Sequence, residues 1–203
     1  MNYMKMTYTN VKQMAQHYDF EGVEKILSSG GLVLLPTDTL WSIACLPSQT
    51  ASLNRLIQLK RQKYADNFEL MVNSISMLKH YVDHLHPRLE TLLAYHLRPL
   101  TMIFDNPSNL SPLALNANGQ IHIRIVQDPF CAGLLEQLNE PLISTYAHTH
   151  DAVPPINFGA ISSEIIQGVD YVVKYRQNDK NMDELPVMVK LLEDQEELEF
   201  VRE

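Results

Sequence analysis

Gly30-Gly31-Leu32-Val33-Leu34-Leu35-Pro36-Thr37-Asp38-Thr39-Leu40-Trp41 is the stretch on which the reading of this chain turns, because an apolar run breaks at a proline straight into three hydrogen-bonding side chains. The glycine pair lets a preceding helix stop in a left-handed turn. Leu32 to Leu35 read as a strand covered on both faces, the pattern of a sheet buried beneath helices. Ligands of open α/β sheets bind at such strand ends, so Thr37, Asp38 and Thr39 are candidates for ligand contact. The plainer alternative is that the three residues form a capped turn.

Working outward, Asp19 can cap a helix with the apolar face Phe20, Val23, Ile26 and Leu27, ending at Gly30. A second helix runs through Leu53, Leu56 and Ile57 towards Lys60, and a strand covers Leu70 to Val72. Ser74 can open a helix carrying Ile75, Leu78 and Val82, and Pro87 starts another through Leu89, Leu92 and Leu93. Pro99 to Phe104 and Ile121 to Ile125 read as strands joined by the polar loop 105–119. Asp128-Pro129 pairs a cap with a first-turn proline for a helix through Leu134, Leu135 and Leu138. Pro141 to Thr145 is a further strand, a helix is expected between Pro155 and Gln167, and strands near 171–173, 187–191 and 198–201 complete the chain. This alternation argues for an α/β sheet with helices on its faces.

With 203 residues, 45% of them hydrophobic, the chain can bury a sizeable core. No apolar run approaches the roughly 18 residues of a membrane span, and the first residues lack a signal peptide's apolar core, so a cytoplasmic protein is expected. Cys45 and Cys131 sit in apolar stretches and are expected as buried thiols. The formal charge of −8 would repel polyphosphates at long range. From Asp183 onward eight acidic residues face only Lys190 and Arg202, a net of −6 that leaves −2 for the preceding chain.

The words Pro36-Thr37-Asp38-Thr39-Leu40-Trp41, Leu59-Lys60-Arg61-Gln62, Asn67-Phe68-Glu69-Leu70-Met71, Pro99-Leu100-Thr101, Ile123-Arg124-Ile125 and Pro141-Leu142-Ile143-Ser144-Thr145 follow one another in an order and spacing that resemble the YrdC/YciO family. The resemblance covers about Gly22 to Val173, and the Asn-Phe-x-Leu-Met string is more similar to the YciO branch. It implies a twisted mixed sheet with helices on its faces, curled around a concave cavity. It also implies one domain over 1–203, with 1–18 as an N-terminal extension and 183–203 as an acidic segment ending in a strand.

In the synthase branch of that family, threonine and bicarbonate form a carbamate whose oxygen attacks the α-phosphate of ATP and expels pyrophosphate, yielding threonylcarbamoyl-AMP for a tRNA modification. Such chemistry depends on charge compensation of the leaving group, so cations come first. The resemblance places Lys60 and Arg124 in the catalytic role and Thr37, Thr39, Trp41, Arg61, Ser144 and Thr145 around the substrate or nucleotide. Mg-ATP would enter as substrate, with a nucleotide or threonine-like molecule as ligand and no permanently bound cofactor. For Lys60 the alternative is a solvated helix end, and for Arg124 a structural ion pair.

The chain departs from the family pattern at several nucleotide positions. Gln62 replaces the second cation of the Lys-x-Arg signature, and Tyr146-Ala147-His148-Thr149-His150 stands where the family has Ser-x-Asn-x-Ser. Arg98 and Ser42 occupy glycine positions, and Leu185-Pro186-Val187 lacks a Ser-Thr pair. The expectation is therefore a divergent YciO-like protein, weakly active or inactive as a synthase, that keeps a nucleotide or anionic small-molecule cavity.

Two other classes of function stay open at the level of sequence. YrdC-like proteins are associated with double-stranded RNA or tRNA, and Arg55, Lys60, Arg61 and Lys63 form a basic cluster that could serve such a contact. His148 and His150, with Asp151, could bind a metal, whereas His80, His84 and His86 lack the companion glutamate of a zinc-protease motif. Oligomeric state is not legible.

Overall fold

The structure is a computed structural model and describes residues 18–179, 185–192 and 197–202. Helix α1 (Phe20–Ser28) opens where the Asp19 carboxylate accepts the Gly22 amide at 2.9 Å, and it buries Phe20, Val23 and Leu27. It stops at Gly30, whose φ of 83° lets the Gly31 amide return to the Ile26 carbonyl at 2.8 Å. Strands β1 (Val33–Leu35) and β2 (Ser42–Cys45) follow, then α2 (Thr50–Leu59), β3 (Glu69–Val72), α3 (Ile75–Leu78), α4 (Pro87–Tyr95) and β4 (Leu100–Asp105). The chain continues through β5 (Gln120–Ile125), α5 (Pro129–Leu138), β6 (Leu142–Tyr146), α6 (Ser163–Gly168), β7 (Tyr171–Val172), β8 (Val187–Leu192) and β9 (Glu197–Arg202).

Two expected helices are shorter than their apolar patterns suggest. Ser74 caps α3 as expected, but the helix closes after one turn and leaves Val82 beyond its end. The segment after Pro155 forms a 3-10 turn at Phe158–Ala160 and then α6, which Ser162 opens by accepting the Ile165 amide. In the second segment the Asn157 amide oxygen and the Ser162 hydroxyl each cap a separate turn and split what reads as one amphipathic segment.

The strands join one mixed sheet in the order β7-β1-β2-β6-β3-β5-β4-β8-β9. β1–β7, β3–β5 and β4–β8 are parallel and the other pairs antiparallel. Side chains directly opposite one another share a face, so the register sorts the sheet into two surfaces. One carries Leu34, Ile43, Leu70, Ile123, Met102 and Val189 and packs with Leu53 and Leu56 of α2 and Leu89 and Leu93 of α4. The other is divided. Val33, Leu35, Ala44, Met71 and Leu142 pack against Phe20, Val23 and Leu27 of α1 and Phe130 and Leu134 of α5. The remainder of that face is polar: Ser42, Tyr146, Ser144, Glu69, His122, Arg124 and Thr101 follow in register across β2, β6, β3, β5 and β4.

Met188 of β8 and Arg202 of β9 line the same cavity as Ser42 of β2 and Tyr146 of β6, although several strands separate them in the sheet order. A flat sheet would hold these groups far apart, so the sheet curls and its polar half becomes concave. Cys45 and Cys131 are free, buried thiols. Among the described residues no helix is long and apolar enough to cross a membrane. Residues 1–17 of the expected 1–18 extension lie outside the described residues, as do 180–184, 193–196 and 203, which include part of the expected acidic segment 183–203.

Candidate ligand site on the concave face

The turn after β1 uses much of its own polarity. The Thr37 hydroxyl donates to the Leu40 carbonyl at 2.8 Å and accepts the Thr39 amide at 3.1 Å, and the two threonine hydroxyls lie 3.0 Å apart. This is the capped turn, and it presents Asp38 to Arg124. Arg124 is fully buried, with Nη1 donating to Asp38 and Nε to Glu69 at 3.1 Å. Glu69 in turn accepts the Thr101 hydroxyl at 2.5 Å, and Asp38 accepts the Gln127 amide at 2.9 Å. Burial pulls the guanidinium's pKa down, but Glu69 and then Asp38 outweigh it and hold Arg124 protonated well above its ordinary value. Its Nη2 is buried with no hydrogen-bond partner. Arg124 thus sits in an ion-pair network, with one guanidinium nitrogen left over.

Lys60 is different. It caps the C-terminus of α2, is fully buried, and donates from Nζ to the Tyr146 carbonyl at 2.7 Å. The described residues give it no carboxylate partner, and burial lowers its pKa to about 7. An anion arriving here would meet a cation that lacks a counter-charge. Its neighbour Arg61 takes a left-handed φ of 54° and turns to Glu164 of α6, 2.7 Å away on the surface. Gln62 reaches His150 at 3.4 Å and buries an unpartnered Oε1.

Ser144 and Thr145, expected side by side in the site, face opposite ways. Ser144 lies opposite Glu69 on the concave face, whereas Thr145 lies opposite Ile43 on the helix-covered face, with its hydroxyl buried and unpartnered. Trp41 is buried against Phe158, ring centroids 4.9 Å apart, and borders a small pocket with Thr37 and Thr39. Tyr146 stands opposite Ser42 and so belongs to the concave face. Burial and the neighbouring Glu69 push that phenol up to about 12.

The concave cavity measures about 40 Å³ and is lined by Ser42, Asn67, Glu69, His122, the 144–146 segment, Met188 and Arg202. Glu69, His122 and Arg202 were not among the expected site residues. Two sequence signals point to the first two: Glu69 opens an otherwise apolar strand, and His122 precedes Arg124 by two positions and so shares its face. Arg202 reaches the cavity only through the curl of the sheet. Burial lowers the pKa of His122, Glu69 raises it, and Arg202 lowers it again.

The other candidate chemistries fare differently. Among the described residues no group of three His, Cys, Asp or Glu side chains is placed to hold a metal. His148 turns its Nδ1 to the Thr149 carbonyl at 2.7 Å, and His150 meets Gln62. In the basic cluster, Arg55 pairs with Asp170 at 3.0 Å, Arg61 with Glu164, and Lys60 is buried, while Lys63 lies over the Tyr64 ring.

Compared with known proteins, residues 25–203 match the family model Sua5_yciO_yrdC, described as telomere recombination. The chain belongs to the Sua5/YciO/YrdC family. Among its curated relatives, the threonylcarbamoyl-AMP synthase of Hahella chejuensis is 28% identical over 147 residues, 72% of this chain and 80% of that protein. The synthase of Xanthomonas euvesicatoria pv. vesicatoria is 26% identical over 163 residues, 79% of this chain and 87% of its own. Among solved structures, E. coli YciO superposes with a TM-score of 0.77 at 20% identity, covering 91% of this chain and 88% of that one. A double variant of P. abyssi Sua5 gives 0.78 at 14% identity over 90% of this chain. The chain spans 55% of that Sua5's length. At these identities the structures establish the shared Sua5/YciO/YrdC fold.

Proposed function

We propose that the concave face binds an anionic small molecule and supports, slowly, synthase-type transfer of an adenylyl group from Mg-ATP. The observation that carries this reading is Lys60, a fully buried ammonium whose bond among the described residues goes to a carbonyl and not to a carboxylate. A buried cation without a counter-charge is costly to keep, and an anionic oxygen relieves that cost. Family membership and the curated synthase relatives support the reading, and the string 67–71 favours the YciO branch. A related P. abyssi Sua5 is known complexed with L-threonine, consistent with a threonine-like co-substrate here.

In this reading a carbamate of threonine attacks the α-phosphorus of ATP, a new P–O bond forms, and the bond to pyrophosphate breaks. Lys60 neutralises charge that develops on the phosphate oxygens. Arg124 holds Asp38 and Glu69 in place and offers its remaining Nη2 to the ligand. Magnesium would arrive with ATP, since no cluster among the described residues is built to hold it alone. The test is pyrophosphate release from Mg-ATP that requires both threonine and bicarbonate, with the adenylate product checked by mass. Slow release that Lys60→Ala abolishes is expected. No release from folded protein at high concentration would end the synthase reading.

A further inference from the structure

His122 differs from the other histidines in how its ring is used. His80, His96 and His148 each turn a ring nitrogen to a backbone carbonyl, and His150 meets Gln62. His84 makes no hydrogen bond through its ring but is exposed. His122 is half-buried and borders the concave cavity, yet among the described residues no hydrogen bond or ion pair reaches its ring. Polar groups taken out of water are ordinarily bonded, so an imidazole left open toward a cavity points to a partner inside that cavity. Its register neighbours on the concave face are Glu69 of β3 and Ile103 of β4.

We propose that His122 is the proton acceptor for an amine-bearing co-substrate bound at the concave cavity. The inference rests on the synthase reading above and adds the residue that turns the co-substrate's amine into a nucleophile.

An amino acid arrives as its ammonium, and making the carbamate releases a proton. The amine nitrogen bonds to the carbon of bicarbonate, the C–OH bond breaks, and ammonium plus bicarbonate gives carbamate, water and one proton. That proton needs a neutral acceptor beside the nitrogen. Glu69 borders the cavity with His122 and offers the ammonium a carboxylate to approach. Glu69 is itself a poor acceptor, because the Thr101 hydroxyl and Arg124 bond its two oxygens. The imidazole has neither nitrogen engaged. The titratable groups around it are Glu69, Arg124, Tyr146 and Arg202 on the concave face, Asp66, and Lys190 one strand beyond Ile103 in a pair with Asp105. Burial first, and Arg202 with it, hold the imidazole below its ordinary pKa against the pull of Glu69 and Asp66, so it rests neutral at pH 7. Once protonated, it stands across the ladder from the Glu69 carboxylate.

The experiment follows pyrophosphate release from Mg-ATP with threonine and bicarbonate between pH 6 and 9, in the wild type, His122→Asn and His122→Ala, each checked for folding by thermal melting. Neither substitution strands a protein hydrogen-bond partner, so both variants are expected to fold. At pH 7 a loss of roughly 100-fold in kcat/KM for threonine is expected. The loss should shrink toward pH 9, where more of the amine is already free, and added imidazole should restore part of the activity of His122→Ala. If one variant fails to fold, the other carries the pH comparison. Undiminished release by the variants, or a loss equal at every pH that imidazole does not relieve, overturns the role of His122 and leaves the synthase reading standing. No release from the folded wild type overturns both.

Discussion

The Lys60 ammonium and the Tyr146 carbonyl lie 2.7 Å apart, and this contact ties the end of α2 to the end of β6. With a pKa near 7 against an ordinary value of 10.5, Lys60 is largely neutral in the folded protein at pH 8.5 but protonated in the unfolded chain. The unfolded state then binds more protons, so stability should rise with pH between about 7 and 10.5. Below pH 7 both states are charged and the slope vanishes. Urea titrations at pH 6, 7, 8 and 9 are expected to show this rise in the wild type, on the order of 1 kcal/mol per pH unit at most, and its loss in Lys60→Met.

Anion binding should reverse part of that shift. A ligand oxygen beside Lys60 favours the ammonium, so binding at pH 8 should take up protons and weaken as the pH climbs further. Phosphate titrations in buffers of different ionisation enthalpy report the uptake directly. No proton uptake in the wild type would place the ligand away from Lys60.

Replacing Arg124 exposes the cost of its two partners. Arg124→Gln leaves Asp38 and Glu69 buried on one face without their shared cation, and a loss of about 3–5 kcal/mol is expected. The loss should be smaller at pH 5 than at pH 8, because the stranded carboxylates then take up protons. Denaturant midpoints at the two pH values make the comparison. An equal loss at both would mean that packing, and not charge, is what Arg124 supplies.

Arg61 offers the opposite case. Its pairing with Glu164 is exposed on both sides, so Arg61→Ala should cost no more than about 1 kcal/mol and leave anion affinity unchanged. A fall in affinity would restore Arg61 to the binding role expected from its place in the sequence.

Arg202 lowers the pKa of His122 across the cavity. Removing that cation as Arg202→Ala should let the imidazole pKa rise, visible as a higher midpoint in an NMR pH titration of His122. An unchanged midpoint would place the guanidinium away from the histidine in solution.

What the sequence makes legible is local. Asp19 and Gly30 mark both ends of α1, and the buried run through Leu35 reads as a strand delivering polar residues to its end. Arg124, an arginine inside an apolar strand, declares that it needs partners, but Glu69 becomes one only because β3 pairs beside β5, and Asp38 only because the turn after β1 reaches it in space. Alternation alone separates Ser144 from Thr145; a family motif that treats them as one word hides it. Arg61 reads as a ligand by its neighbourhood, yet its left-handed backbone points it at Glu164. Arg202 as a cavity residue requires the three-dimensional curl that no short window encodes.

That curl imposes an order of assembly. Ser42 comes early in the chain and Arg202 comes from β9, yet both border the same cavity. Contacts so distant in sequence close the largest loop and form late in folding. During vectorial synthesis, the inner strands and their helix-covered core can be in place while the cavity still lacks its Arg202 side. A ribosome-stalled chain that exposes residues up to 179 would therefore hold Lys60 and the Arg124 network beside an open trough, and the finished cavity appears only with the closing hairpin.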